Sequence, residues 1–163
     1  NLEFSMSLII GFEKHDHGSC VYAALQAADQ VCHDRGLRLT PVRRRTLEVL
    51  LEHHRAMGAY DVLERLKEDG FGSKPPIAYR ALGFLVEQGL VHRVEKLNAY
   101  IASTHPDQDH TPTMLICSEC HKVAEAIETT QEKRLTHMEQ ESGFRVTSVA
   151  IEADGICPDC DGK

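Results

Sequence analysis

Three observations predict an α+β chain in two parts, a helical head closed by a hairpin and a smaller mixed module behind it. Short helical segments punctuated by Pro and Gly fill residues 20–90, and two β-branched runs separated by a turn follow at once. The last third carries two C-x2-C pairs, Cys117–Cys120 and Cys157–Cys160, among strand-like runs.

The elements follow in order. Asn1-Leu-Glu-Phe-Ser before Met6 reads as a cloning scar, and residues 1–19 are expected to be that scar and a flexible arm; His15 and His17, with Cys20 just beyond it, read either as a metal-binding patch or as an idle solvated tail. Val21, Leu25, Ala28 and Cys32 recur at helical spacing, with Gly36 as the stop. Thr40-Pro41 starts a second helix, the hydroxyl at the N-cap and proline in the first turn. Its Arg43-Arg44-Arg45 run reads either as a solvated face or as a phosphate-contacting one.

A third helix follows Gly58-Ala-Tyr60 and ends near Gly70. The fourth opens at Lys74-Pro-Pro and closes at Gly89; Ala78, Leu82, Leu85 and Val86 are expected to face a core while Tyr79 and Arg80 project near its start, where a recognition helix reads the major groove. Residues 90–101 then read as two strands around Lys96-Leu-Asn98. Short helices followed by a hairpin are the pattern of a winged helix-turn-helix.

Residues 103–113 turn polar and mark a hinge. Beyond them two strands are expected at Met114-Leu-Ile-Cys and Val123-Ala-Glu-Ala-Ile, a helix from Thr130 to Gly143, and the clearest strand over 144–152. This β-β-α-β module is too small to bury much surface alone, so metal and a partner subunit would both help it. The expected divisions are thus 1–19, a winged-helix domain over 20–102, a hinge over 103–112 and a metal-binding domain over 113–163.

Paired C-x2-C knuckles bring four thiolates within reach of one ion at about 2.3 Å, and zinc is the usual occupant of a closed four-sulfur site. Two disulfides or free core cysteines are the competing readings. A closed site has no position for substrate, so its role is to hold the fold, with about 10 to 16 kcal/mol of apparent binding energy available for that.

Charge narrows the function. The net charge is -7, but residues 21–96 hold twelve Lys/Arg against ten Asp/Glu, whereas residues 97–163 hold five against twelve. The middle is the basic part, where a nucleic-acid contact would fall. No run approaches the roughly 18 apolar residues of a membrane span. Met6-Ser-Leu-Ile-Ile-Gly-Phe is too short for a signal peptide and lacks its basic start, so with metal-type cysteine spacing the cytoplasm is expected. A nucleotide-binding glycine motif and a His-Glu-x-x-His helix are absent, which argues against an enzyme and against a small-molecule substrate. A zinc-held protein-interaction module without DNA binding is the other class to be separated.

Taken together, Leu39-Thr-Pro-Val-Arg-Arg-Arg, Gly58-Ala-Tyr-Asp, Pro75-Pro-Ile-Ala-Tyr-Arg-Ala-Leu, Glu87-Gln-Gly-Leu-Val-His, Cys117-Ser-Glu-Cys and Gly155-Ile-Cys-Pro-Asp-Cys resemble the ferric uptake regulator superfamily of bacterial metal-sensing repressors, nearest its zinc uptake branch. The resemblance spans about residues 20–160. It implies a winged-helix DNA-binding domain hinged to a dimerisation domain, a homodimer on palindromic operator DNA, and a divalent metal as corepressor at metal-uptake genes.

By position it implies a structural Zn2+ at Cys117, Cys120, Cys157 and Cys160, and a regulatory ion, expected to be Zn2+, at His92, His110 and Glu125. It further implies DNA contacts at Tyr60, Tyr79 and Arg80; Arg43, Arg44 and Lys74 are expected, from their charge and position, to meet phosphates. The chain departs from the zinc branch in having Ser103 where that branch has a cysteine, and Ile77-Ala78 before Tyr79 where Thr-Val is usual. A neutral hydroxyl is a poor zinc ligand beside a thiolate, which gives the fourth regulatory position to His105 or to water and opens iron or manganese as the regulatory ion.

Overall fold

The computed structural model describes residues 9–10, 17–52, 55–106, 111–127, 130–147 and 149–162. It divides into two compact units, residues 13–109 and residues 1–12 with 110–163.

The first unit is the helical head. Helix α1 (His17–Asp34) lays Ala28 and Cys32 against the core, on the stripe the spacing predicts. Helix α2 (Pro41–Leu51) starts with proline in its first turn. Thr40 is the N-cap in extended geometry, but its side chain makes no capping bond, so the backbone alone opens the helix. The buried faces of α2, α3 (Ala59–Glu68) and α4 (Pro75–Glu87) meet in one hydrophobic cluster that includes Leu47, Leu50, Val62, Leu66, Leu82 and Leu85. Each such side chain contributes about 1.5–3 kcal/mol by leaving water. Val86 departs from the expected pattern: it is 37% exposed, and Ala81 is buried in its stead.

Helix α4 ends in a Schellman turn. The Leu90 amide donates to the Leu85 carbonyl (2.9 Å) and the Gly89 amide to the Val86 carbonyl (3.0 Å), with Gly89 at φ +72° where a side chain would be strained. That turn feeds β2 (Val91–Val94), which pairs antiparallel with β3 (Ala99–Ala102) around a bend at Glu95–Asn98. Met57 exchanges two backbone bonds with Tyr100, both 2.8 Å, which ties the chain before α3 to the hairpin. The unit is therefore a winged helix-turn-helix.

The second unit is one four-stranded sheet in the order β1-β5-β4-β6, from β1 (Ile9–Ile10), β4 (Pro112–Cys117), β5 (Val123–Ile127) and β6 (Ile151–Gly155). Strands β4 and β5 are antiparallel, whereas β6 runs parallel to β4; β5 and then α5 (Thr130–Ser142) lie between them in the chain. The short helix α6 (Pro158–Asp161) closes the chain.

Two expectations need correction here. Ile9 and Ile10 pair with Ala126 and Glu125 as an edge strand, so this part of the expected arm belongs to the sheet. The strand expected over 144–152 begins only at Ile151. Upstream, the Val146 amide donates to the Glu139 carboxylate (2.6 Å) and the Phe144 amide to the Ser142 hydroxyl (3.2 Å), so this backbone bonds to the end of α5 instead of to a ladder. Alternating residues make a strand possible, but a neighbouring strand is what forms one.

Candidate metal centre and nucleic-acid interface

Strand register builds the thiol cluster. Cys117 ends β4 opposite Gly155, the last residue of β6, and the Ser118 amide donates to the Gly155 carbonyl at 2.9 Å. Cys157 therefore follows two residues beyond the partner of Cys117. The β4–β5 turn forms the first knuckle: the His121 amide donates to the Cys117 carbonyl and the Cys117 amide to the Lys122 carbonyl, both 2.9 Å, with His121 at φ +58°. The second knuckle is the first turn of α6, where the Cys160 amide donates to the Cys157 carbonyl at 2.9 Å.

The result is four sulfurs all within 4.8 Å of one another, with Cys120 and Cys157 at 3.6 Å. A tetrahedron with about 2.3 Å bonds has sulfurs about 3.8 Å apart, so the cluster has the size of a zinc site. Cys117 and Cys157 are buried and Cys120 and Cys160 half-buried, and none of these four is in a disulfide.

The surroundings also suit a cation held by thiolates. Amide donors from Cys120 and then Cys157, the latter at 3.3 Å, bring the Cys117 thiol down to about 6 against the burial that opposes it. Cys160 is pushed up to about 12, first by its bond to Cys157 and then by desolvation. Lys122, which the sequence reading missed, lies beside the cluster. Its ammonium is stabilised first by a 2.5 Å bond to Asp159 and also by the charges of Cys120 and Cys157. A lysine two residues past a C-x2-C pair was the available signal.

The remaining expected ligands are distributed over both units. His92 lies half-buried on β2 opposite Ile101, and His105 follows β3 with its ring nitrogen 2.9 Å from the Thr104 hydroxyl. Ser103 is 4% exposed, and its hydroxyl accepts the His105 amide at 3.2 Å. Glu125, in the middle of β5, is 3% exposed, a carboxylate drawn deep into the sheet unit. His110 lies outside the described residues, as does His15; His17 and Cys20 fall in the first turns of α1.

On the head, α3 and α4 bring Tyr60 and Tyr79 into an edge-to-face pair with centroids 6.5 Å apart, both residues exposed. Arg80 and Lys74 are exposed on the same end of α4. An exposed aromatic pair beside two cations can offer stacking, hydrogen bonding and charge to a polyanion. The arginines of α2 are placed differently. Arg44 pairs with Asp29 of α1, and Arg45 with Asp69 (2.6 Å), Glu52 (3.1 Å) and Glu48 (3.3 Å). The Arg43 guanidinium lies 3.5 Å above the centre of the Phe84 ring and donates to the Arg38 carbonyl at 2.8 Å. The run is neither a bare solvated face nor an open row of cations.

Among the described residues, no helix is long and apolar enough to cross a membrane.

The chain and its fold are similar to known proteins. The chain is 39% identical over 137 residues to the zinc uptake regulation protein of Escherichia coli (strain K12), covering 83% of this chain and 80% of that one. Its fold is similar to that of a zinc uptake regulator solved in complex with zinc and DNA, with a TM-score of 0.82 at 38% identity over 87% of this chain and 95% of the other. It is likewise similar to the holo form of XcZur, with a TM-score of 0.79 at 32% identity over 86% and 99%. Residues 34–154 match the ferric uptake regulator family, and the chain belongs to that family.

Proposed function

We propose that this chain is a metal-responsive, DNA-binding transcriptional repressor of metal-uptake genes, not an enzyme, that acts as a homodimer in the cytoplasm on a palindromic operator with zinc as corepressor. The observation that carries the reading is the exposed end of α4, where Lys74, Tyr79 and Arg80 stand beside Tyr60 on a winged-helix scaffold. Similarity over most of its length to a zinc uptake regulator complexed with zinc and DNA supports it.

In this reading residues 20–102 read DNA, residues 103–112 are the hinge and residues 113–163 pair the subunits. Arg80 reads a base edge, Tyr60 and Tyr79 pack against the duplex, and Lys74 meets phosphate. Cys117, Cys120, Cys157 and Cys160 hold a zinc that keeps the sheet unit in shape. His92, His110 and Glu125, with His105, hold the regulatory ion. These ligands come from both units, so metal favours the arrangement that presents both recognition helices of the dimer at groove spacing. Every 1.4 kcal/mol of that preference shifts the population about tenfold.

Ser103 favours a second reading of the regulatory ion. A buried hydroxyl bonded to the His105 amide stands where the zinc branch has a thiolate, which suits iron or manganese better than a soft-ligand site would. Gel retardation of an AT-rich palindrome, against random duplex at matched salt, tests both readings. Chelator-stripped protein is expected to lose the palindrome and regain it with zinc. Recovery with ferrous or manganous ion alone transfers the role to that metal, and retention under chelator rejects metal control.

A further inference from the structure

Arg80, Phe84 and Gln88 stand at positions i, i+4 and i+8 of α4 and its C-cap, one line along the helix. The front of that line reaches solvent, and each of the two positions behind it is gripped by an arginine from outside the helix. The Arg43 guanidinium covers the Phe84 ring at 3.5 Å while bonded to the Arg38 carbonyl. Arg35, just past the end of α1, donates to both the carbonyl and the side-chain oxygen of Gln88 at 3.0 Å. A cation on the last carbonyls also suits the negative end of the helix dipole.

From this we infer that Arg43 and Arg35 are positioning residues that fix the roll of α4, and that Arg43 is not a phosphate contact. The inference rests on the DNA-binding reading above. A helix is about 10–12 Å across, so a roll of about 20° carries a side-chain atom on its rim by about 2 Å. Hydrogen bonds to a base edge tolerate a few tenths of an ångström, so sequence discrimination is lost before general affinity for the backbone is. A flat guanidinium stacked on a ring and forked to a carbonyl resists such a roll, whereas a lysine in its place keeps the charge and loses the geometry.

The probe is the duplex that metal-loaded parent protein recovers from a random-sequence pool, set against a scrambled duplex of the same composition. Arg43→Lys preserves the charge, and Phe84→Leu alters no charge at all. Each is expected to weaken binding to the recovered duplex at least tenfold and to the scrambled duplex less than twofold, with the parent's dependence of log K on log salt and the parent's thermal midpoint to within a few degrees. The double variant is expected to be no worse than either single one. Arg43→Lys that binds like the parent overturns the inference. So does Arg43→Ala that weakens both duplexes alike and reduces the salt slope by about 0.9 per chain, the mark of a lost phosphate contact. If Arg43→Lys does not fold, Arg35→Lys at the Gln88 grip is read in the same assay with the same outcomes. A parent that recovers no duplex refutes the DNA-binding reading itself, a result distinct from either failure of the variants.

Discussion

The two units of this chain solve the same stability problem with different materials. In the head, leucines and valines from four helices and the hairpin close on one cluster with Leu50, Leu66, Leu82, Leu85 and Leu90 almost wholly excluded from water. In the sheet unit the buried apolar residues described are few, mainly Met114, Ile116, Val123 and Ala124, and next to them stand two buried cysteines of a four-thiol cluster. Met138, Phe144 and Ile156 of that unit are more than half exposed. A small module with so little hydrocarbon inside requires another source of cohesion, and a metal held by the thiols of β4, α6 and the β4–β5 turn would supply it.

The sharpest way to break this contrast is Cys157→Ser. It is expected to remove one zinc per chain by native mass spectrometry and to unfold the sheet unit, for which about 10–16 kcal/mol of apparent metal-binding energy is at stake, while the head keeps its own cooperative transition. Unchanged metal content would show that the cluster is not a zinc site. The reciprocal change is Leu82→Ala, fully buried in the head, expected to cost about 2–5 kcal/mol in urea unfolding without altering zinc content. A loss of zinc in that variant would mean the units are not held independently.

Arg80→Ala is expected to cost about 1–3 kcal/mol in operator affinity with both units still folded. Parental affinity in that variant would deny Arg80 its role in reading bases. Smallest is Thr40→Ala. An N-cap hydroxyl ordinarily contributes about 1 kcal/mol, but this one makes no capping bond, so less than about 0.5 kcal/mol is expected. A full-sized loss by urea titration would mean the hydroxyl caps the helix in solution.

Local chemistry made much of this legible in the sequence. Pro41, Pro75 and Gly89 mark helix ends because they act on their own backbone, and the C-x2-C pairs announce a cluster because spacing alone brings each pair to one side. What escaped reading depends on partners far along the chain. Arg43 and Phe84 are 41 positions apart, and Arg44 meets Asp29 of another helix, so neither arginine could be told from a free surface cation. Ile9–Ile10 is a strand only because β5 offers an edge, and residues 144–147 are not one because Glu139 and Ser142 take their amides first. The expected regulatory ligands His92, His110 and Glu125 lie on segments that no local pattern joins, which is why only the family resemblance named them.

The parallel pairing of β6 with β4 has a consequence for biosynthesis. Cys117 and Cys120 leave the ribosome 37 residues or more before Cys157, and at about 5–20 residues per second the head is complete and folding while half of the thiol set is still untranslated. A polypeptide released before Cys157 would carry the whole helical unit and only half of the thiols, so the four-thiol cluster can close only after that unit has been made.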